Sequence, residues 1–301
     1  MTPTVRHDFR AMGTPVALIA DRRAGTRAFA RAARAVGSVF AREELRFSRF
    51  RADSELSRVN ARAGRWTKVS PSFAALLGYS LEAAARSAGL FDPTVLPALV
   101  AAGYDRDFDE LLAGARDALH PPRPCGRWTH IELDGELLRL PRDVGLDFGG
   151  VAKGWTVDLA ARAAVEEGLP WAVVNAGGDL RIAGTPPADG ISVSVEDPDD
   201  RSAEVARLSL ESGALATSSV TARAWGPGLH HLIDPRTGLP ADTGVVQATV
   251  WAPTCAEAEV RSTWALLEGP AVLDRTSAVL VMDDGRVVMN LEGRSPAEVA
   301  S

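Results

Sequence analysis

The order of its elements predicts an α+β fold for this chain rather than a doubly wound parallel sheet. Helical periodicity dominates the first third, whereas strands crowd the second half and are joined mostly by hairpin turns. No internal repeat occurs, and no linker is rich enough in small or polar residues to cut the chain in two. The expectation is therefore one domain over residues 1–301, with a core of about 8–295 and a mostly antiparallel or mixed sheet flanked by helices.

Each element follows from local chemistry. Residues 26–42, TRAFARAARAVGSVFAR, place Phe29, Ala33, Val36 and Phe40 on one helical face. Ser70-Pro71 supplies an N-cap and an N1 proline for a helix carrying Phe73, Leu77, Leu81 and Ala84. DFDELLAGARDAL is a weaker helical pattern, and HPPRPCG reads as a loop. HIELDGELLRL alternates on both sides of Asp134-Gly135, which suits a two-residue hairpin turn. GWTVDLAARAAVEEGL reads as a helix closed by Gly168. WAVVNAGG and DLRIAG form strand, turn and strand. GISVSVED alternates Ile191, Val193 and Val195 with polar residues, so one face meets water. RLSLESGALATS and VVQATVWA are further strands, CAEAEVRSTWALLEG is helical, and AVLVMDDGRVVMN is a hairpin tipped by Asp284-Gly285. FDPTVLPAL, 91–99, punctuated by two prolines, reads as a loop entering the core.

The bulk numbers exclude several classes. At 46% hydrophobic and 24% charged, the chain has ample core for a soluble globular protein. The net charge is -6 and no basic block of five or more exists, so nucleic acid is not an expected partner. The first 20 residues lack the apolar stretch of a signal peptide, and no apolar run reaches the ~20 residues that cross a bilayer. We expect a cytoplasmic protein with no transmembrane segment. Cys125 and Cys255 are too few for a metal cluster and are expected as free thiols.

Five stretches carry candidate chemistry. LDFGGVAKGWTVD, 146–158, sets Gly149-Gly150 and Lys153 between two acids where a strand is expected to become a helix. The glycines let a backbone approach a ligand, helix amides beyond Gly154 attract anions, and Lys153 adds a point charge. Asp147 accepts hydrogen bonds from a ribose or a base. A tight turn with a solvated lysine would use the same residues. NAGGDLRIAG, 175–184, repeats the Gly-Gly device at Gly177-Gly178, with Asn175 and Asp179 beside it, and a plain hairpin turn also explains it. In HHLIDPRTGLP, 230–240, turn geometry accounts for Asp234-Pro235 and Gly238 but not for His231, which is either a general base or phosphate contact, or a structural histidine. In APTCAEAEVRSTWALL, 252–267, Glu259 and Thr263 share a helix face at i and i+4 and offer hard oxygens suited to magnesium. An exposed glutamate and a back-bonded threonine are the alternative there. RFSRFRADSELSRVNA, 46–61, adds an acidic helix start and Phe50, which either enters a core or stacks on a flat ring.

Taken together and in this order, MGT (12–14), FSRFRADSELSRVN, FDPTVLP, LDFGGVAKGWTVD, NAGGDLRIAG, ALATSS (214–219), HLIDPRTGLP and the Glu259–Thr263 helix resemble the ApbE family, the FAD:protein FMN transferases. The resemblance runs from about Met12 to about Gly269, most of the chain. It implies one α+β domain that binds FAD in a cleft with Mg²⁺, moves FMN onto a threonine hydroxyl of a target flavoprotein and releases AMP. Position by position it implies FAD contacts at Met12, Phe50, Thr94, Val95, Asp147, Lys153, Gly177, Gly178 and Leu232. It implies metal positions at Gly150, through its backbone oxygen, Glu259 and Thr263, and a candidate base at His231. Negative charge growing on the departing phosphate would meet Lys153 and helix amides. Asp234 is a candidate to orient His231.

The chain departs from the family pattern at four places. Glu259 stands where aspartate is usual, Leu96 where glycine is usual, and ATSSVTARAW replaces a Thr-Ser-Gly run with its acidic and aromatic sequel. Phe50 replaces a common tyrosine. An FAD pyrophosphatase yielding FMN and AMP, and an FAD-binding or carrier protein without turnover, use the same residues and stay open alongside transfer. A homodimer is compatible with this reading.

Overall fold

The computed structural model describes residues 3–113, 120–123, 125–291 and 298–299. The chain divides into two compact units, each made of separated stretches. The first holds residues 1–42, 153–219 and 244–301, and the second holds 43–152 and 220–243.

The first unit is built on an eight-stranded sheet. Its strands are β1 (Thr4–Ala11), β2 (Thr14–Asp21), β3 (Trp171–Ala176), β4 (Asp179–Gly184), β5 (Gly213–Ser219), β6 (Val245–Ala252), β7 (Ala278–Met282) and β8 (Val287–Asn290), ordered in space as in sequence. Every pairing is antiparallel. Successive side chains point to opposite faces, so one strand feeds two layers. Ala172, Val174 and Ala176 of β3 face α1 (Thr26–Phe47) and α6 (Ala152–Glu166), packing with Val36, Phe40, Val157 and Ala161. Trp171 and Val173 face the other way, against Leu208 and Leu210 of the Ile191–Glu196/Glu204–Leu210 hairpin. Small residues on the helix-facing side let α1 and α6 lie close to the sheet. Each fully buried Val, Leu or Phe there contributes ~1.5–3 kcal/mol. Helix α7 (Cys255–Glu268) follows β6 directly.

The second unit is mainly helical and local. It contains α2 (Glu55–Asn60), α3 (Pro71–Arg86), α4 (Leu96–Ala101), α5 (Phe108–Ala113) and, among the described residues, three small antiparallel sheets. Ser70 caps α3, its hydroxyl accepting from the Phe73 N–H, with Pro71 at the first turn. The α+β class and the antiparallel sheet agree with the sequence reading.

Several local expectations shift. Helix α1 runs on to Phe47, beyond the predicted end at 42. Pro97 opens helix α4 where a loop was expected, because proline is tolerated in a first helical turn. The ladder pairs Asp134 with Leu137, so Gly135-Glu136 form the two-residue turn and Gly135 takes the left-handed φ of +57°. LDF, 146–148, joins no ladder among the described residues. Asn60 takes a strand's place, its amide accepting from the Leu146 N–H at 2.8 Å and donating to the Leu146 carbonyl at 2.9 Å. Residues 114–119 of the weaker helical pattern, and Pro124 of the following loop, lie outside the described residues.

Candidate functional site

Within the first unit, several of the sequence-predicted residues converge at one end of the sheet. The β1–β2 turn is Met12-Gly13, both with positive φ (51° and 69°), which is the two-residue geometry that matches strand twist. A methionine held there carries strain of about 1–2 kcal/mol. The neighbouring β3–β4 turn is Gly177-Gly178. Gly177 donates its N–H to the Pro15 carbonyl at 3.1 Å, and a Cβ on it would stand 2.1 Å from Thr14 Oγ1. The two turns therefore touch, and only glycine fits between them.

Beside these turns lies a buried charge cluster. Lys153, in the first turn of α6, places its ammonium between the carboxylates of Asp179 and Glu259, with Glu259 Oε1 at 2.5 Å. The other Glu259 oxygen, Oε2, accepts the Gly154 N–H at 2.8 Å. Asp179 and Glu259 are 1% and 3% exposed, while the Lys153 side chain keeps 22% of its surface in water, so the two carboxylates are buried and the ammonium is half-buried. The anion expected at the α6 N-terminus is thus the protein's own Glu259. Helix α7 is held in register for this contact by Asp158, which accepts the Cys255 and Ala256 N–H groups at 2.9 and 3.0 Å. Gly154 permits the approach, since a Cβ there would lie 2.4 Å from the Cys255 carbonyl oxygen.

The electrostatics follow from burial. Two carboxylates and one ammonium leave one surplus negative charge in the interior. Burial pushes the Glu259 carboxyl up to about 7, with Asp179 adding to the rise and Lys153 opposing it. Burial alone would lower the Lys153 ammonium, but the two carboxylates outweigh it and hold its pKa above the ordinary lysine value. Lys153 is charged throughout the neutral range.

Thr263 lies one turn beyond Glu259 on α7. Its hydroxyl is 3.3 Å from Ser218 Oγ of β5, which in turn is 2.8 Å from Ser262 Oγ. Among the described residues no group of three or more His, Cys, Asp or Glu is placed to hold a metal ion unaided. The donor set is nevertheless one of hard oxygens, and an ammonium already stands against Glu259 as a cation would. Glu259 and Thr263 therefore fit a Mg²⁺ that draws its remaining ligands from water and phosphates. Gly150 belongs to the second unit.

In the second unit, Asp147 already has two partners. It accepts from Arg49 Nε at 2.8 Å and from the Gly149 N–H at 2.7 Å. The Arg49 guanidinium lies 4.1 Å from the Phe50 ring centroid and 4.3 Å from that of Tyr104, within cation–π range. Phe50 remains 37% exposed, so its ring is not spent on a core. Thr94 is buried, with its N–H and hydroxyl both donating to Asp92 at 2.7 and 2.6 Å. Asp147 donates its N–H to the Pro93 carbonyl at 2.9 Å, which ties the 91–95 loop to the Gly149-Gly150 turn. Val95, half-buried, precedes α4. The unusual Leu96 packs onto Gly145, where an added Cβ would come within 2.9 Å of Leu96 Cδ2.

The histidine pair separates cleanly. His230 is buried, and its Nδ1 accepts the Leu232 N–H at 3.3 Å while Nε2 faces the Ala241 carbonyl at 3.1 Å. That pattern assigns a neutral ring, and burial lowers its pKa. His231 is half-buried and follows the short strand that ends at His230, while His230 and Leu232 are buried. Asp234, the candidate to orient His231, closes on its own turn, accepting the Arg236 N–H at 2.9 Å and the guanidinium at 2.7 Å.

Two residues of this chemistry went unnoticed in the sequence. Asp179 reads in the sequence only as a turn partner; an acid opening the strand DLRIAG is the signal of its buried role. Arg49, flanked by two phenylalanines in RFSRF, carried the equivalent hint for Asp147.

Comparison with known proteins places these features in a context. The family model described as the ApbE family matches residues 12–279. A Rhodobacter capsulatus protein named FAD:protein FMN transferase is 31% identical over 272 residues, which cover 82% of this chain and 50% of that protein. Against this relative the chain spans about half the length. A protein of the same name from Escherichia coli K12 is 27% identical, covering 74% of this chain and 67% of that one. Two solved structures share the fold. The ApbE protein from Thermotoga maritima superposes with a TM-score of 0.82 at 23% identity, covering 96% of this chain and 97% of that one. The flavin transferase ApbE from Vibrio cholerae has a TM-score of 0.80 at 23% identity, covering 96% and 98%.

Proposed function

We propose that this chain, which belongs to the ApbE family, transfers FMN from FAD to a threonine hydroxyl of a target flavoprotein and releases AMP. The observation that carries this reading is the buried Lys153–Asp179–Glu259 cluster beside the Met12 and Gly177-Gly178 turns. Two carboxylates buried side by side cost several kcal/mol each to ionise there, and packing the sheet does not require them. The names of the Rhodobacter capsulatus and Escherichia coli relatives support the same reading.

The roles follow from the side chains. The acceptor oxygen attacks the FMN-side phosphorus, the bond to the AMP phosphate breaks, and the threonine proton passes to His231. Lys153 offers its ammonium to charge developing on the departing phosphate. Met12, Phe50, Thr94, Val95, Asp147, Gly177, Gly178 and Leu232 hold the dinucleotide, and Phe50 offers its exposed ring to a flat heterocycle. Glu259 and Thr263 would hold Mg²⁺, with the Gly150 carbonyl as a further ligand. Bound magnesium supplies charge neutralisation at the diphosphate.

Incubation with FAD, Mg²⁺ and a flavoprotein domain carrying an acceptor threonine tests this directly by mass spectrometry. The expected product is the domain heavier by one FMN, with AMP in solution. AMP with an unmodified domain would mean hydrolysis, and bound FAD with neither product would mean a carrier. The expectation of a single domain over 1–301 belongs to the same proposal.

A further inference from the structure

Lysine is rare in this chain. Lys68 and Lys153 are its two lysines among 33 lysines and arginines. Lys68 is a surface residue, with its side chain 78% exposed. Arg46 bridges Glu43 and Glu55 elsewhere in the chain, whereas between Asp179 and Glu259 the bridging cation is one of the two lysines. A guanidinium is wide, planar and forked, whereas an ammonium is a compact point charge of nearly metal-like shape. The Lys153 Nζ is 2.5 Å from Glu259 Oε1, the carboxylate assigned above to Mg²⁺, and also contacts Asp179.

We infer that Lys153 is a built-in placeholder cation: its ammonium must leave Glu259 before a divalent ion coordinates that carboxylate, and Asp179 is the positioning residue that retains the ammonium when it does. The inference rests on the metal reading given under the proposed function. Charge balance supplies the reason. The cluster alone carries -1, and a divalent ion added to it with Lys153 in place would bring the total to +1 within a buried site. The two negative charges of a dinucleotide's diphosphate restore -1 and give the displaced ammonium a second anion. Metal and diphosphate therefore bind with positive coupling, while metal alone binds weakly because it competes with an internal cation. Asp179, buried at the start of β4, keeps the ammonium within the pocket instead of releasing it to solvent.

The scarcity of lysine makes the test direct. Protein labelled with [¹³Cε]lysine gives two side-chain signals, and Lys68 serves as the internal reference. On titrating Mg²⁺ with FAD present, the Lys153 signal is expected to move with the same midpoint that calorimetry finds for metal binding, while Lys68 stays still. Metal binding by calorimetry with an unmoved Lys153 signal overturns the inference and leaves the metal reading standing. Absence of any metal binding in the presence of FAD overturns both. Independently, Lys153→Met without nucleotide is expected to bind Mn²⁺, read by electron paramagnetic resonance, about tenfold or more tightly than the unaltered chain. Adding Glu259→Gln to that variant is expected to abolish the gain. Equal affinity in Lys153→Met and the unaltered chain means the ammonium does not occupy the metal's place. If Lys153→Met does not fold, the lysine signals of the unaltered protein decide the matter.

Discussion

Replacing Glu259 with glutamine removes one charge from the buried cluster while keeping its shape. The amide oxygen still accepts the Gly154 N–H, and Lys153 keeps Asp179 as its carboxylate partner. The interior then holds one balanced pair in place of a surplus negative charge, so no orphaned buried ion is created. Burial, reinforced by Asp179 and opposed by Lys153, raises the Glu259 carboxyl from 4.5 to about 7. A folded pKa above the unfolded one means that this group's stabilising contribution is complete below about 4.5 and is lost as pH rises through 7. Lys153, also raised, contributes stability fully present below its ordinary 10.5, so it stays constant across this window. At ~1.36 kcal/mol per pH unit, the rise at Glu259 amounts to about 3 kcal/mol by pH 8. With an unfolding entropy of ~2.1 cal/mol/K per residue over the chain, that corresponds to about 5 °C. Melting of both proteins in EDTA, followed by circular dichroism, should show Glu259→Gln gaining on the unaltered chain by up to about 5 °C between pH 5 and pH 8. A difference that does not change with pH, or a variant melting several degrees lower at pH 8, would refute the charge-balance argument.

Other outcomes follow from the same geometry. His231→Ala should slow transfer about 100-fold or more while changing FAD affinity by no more than about twofold, since a general base acts on the step and not on binding. Comparable rates in the two proteins remove His231 from the chemistry. Gly177→Ala should destabilise by ~1–3 kcal/mol in urea denaturation, because a φ of 62° and a Cβ 2.1 Å from Thr14 Oγ1 are both unfavourable. An unchanged midpoint would show that the two turns part readily. Calorimetry of the whole chain should give one transition with equal calorimetric and van't Hoff enthalpies if residues 1–301 melt as one domain. Two resolved transitions count against that expectation.

Much of the fold was legible locally. The helix on Ser70-Pro71, the Gly168 stop, the Gly177-Gly178 turn and the 284–285 hairpin tip each depend on residues a few positions apart. Caps, left-handed glycines and hydrophobic period all act over that range, so the sequence carries them directly. The Asp134-Gly135 turn was misplaced by one residue because both registers keep glycine in the turn, and only the ladder decides between them. The loop expected around Pro93–Pro97 became a helix start because proline favours a first turn as readily as a break.

What the sequence determined by itself was the α+β class, the antiparallel sheet and the candidate residues at Lys153, Glu259 and His231. Tertiary structure alone decided their partners. Lys153 meets Asp179 and Glu259 across separations of 26 and 106 residues, and nothing in local propensity reports a contact between groups so far apart. Tertiary packing likewise decided that His230 is locked inside, where its ring meets the Leu232 N–H and the Ala241 carbonyl. Local rules set which residues a turn or helix presents. Long-range packing sets what each buried charge must find there, because an ion removed from water is stable only against the particular groups the fold brings to it.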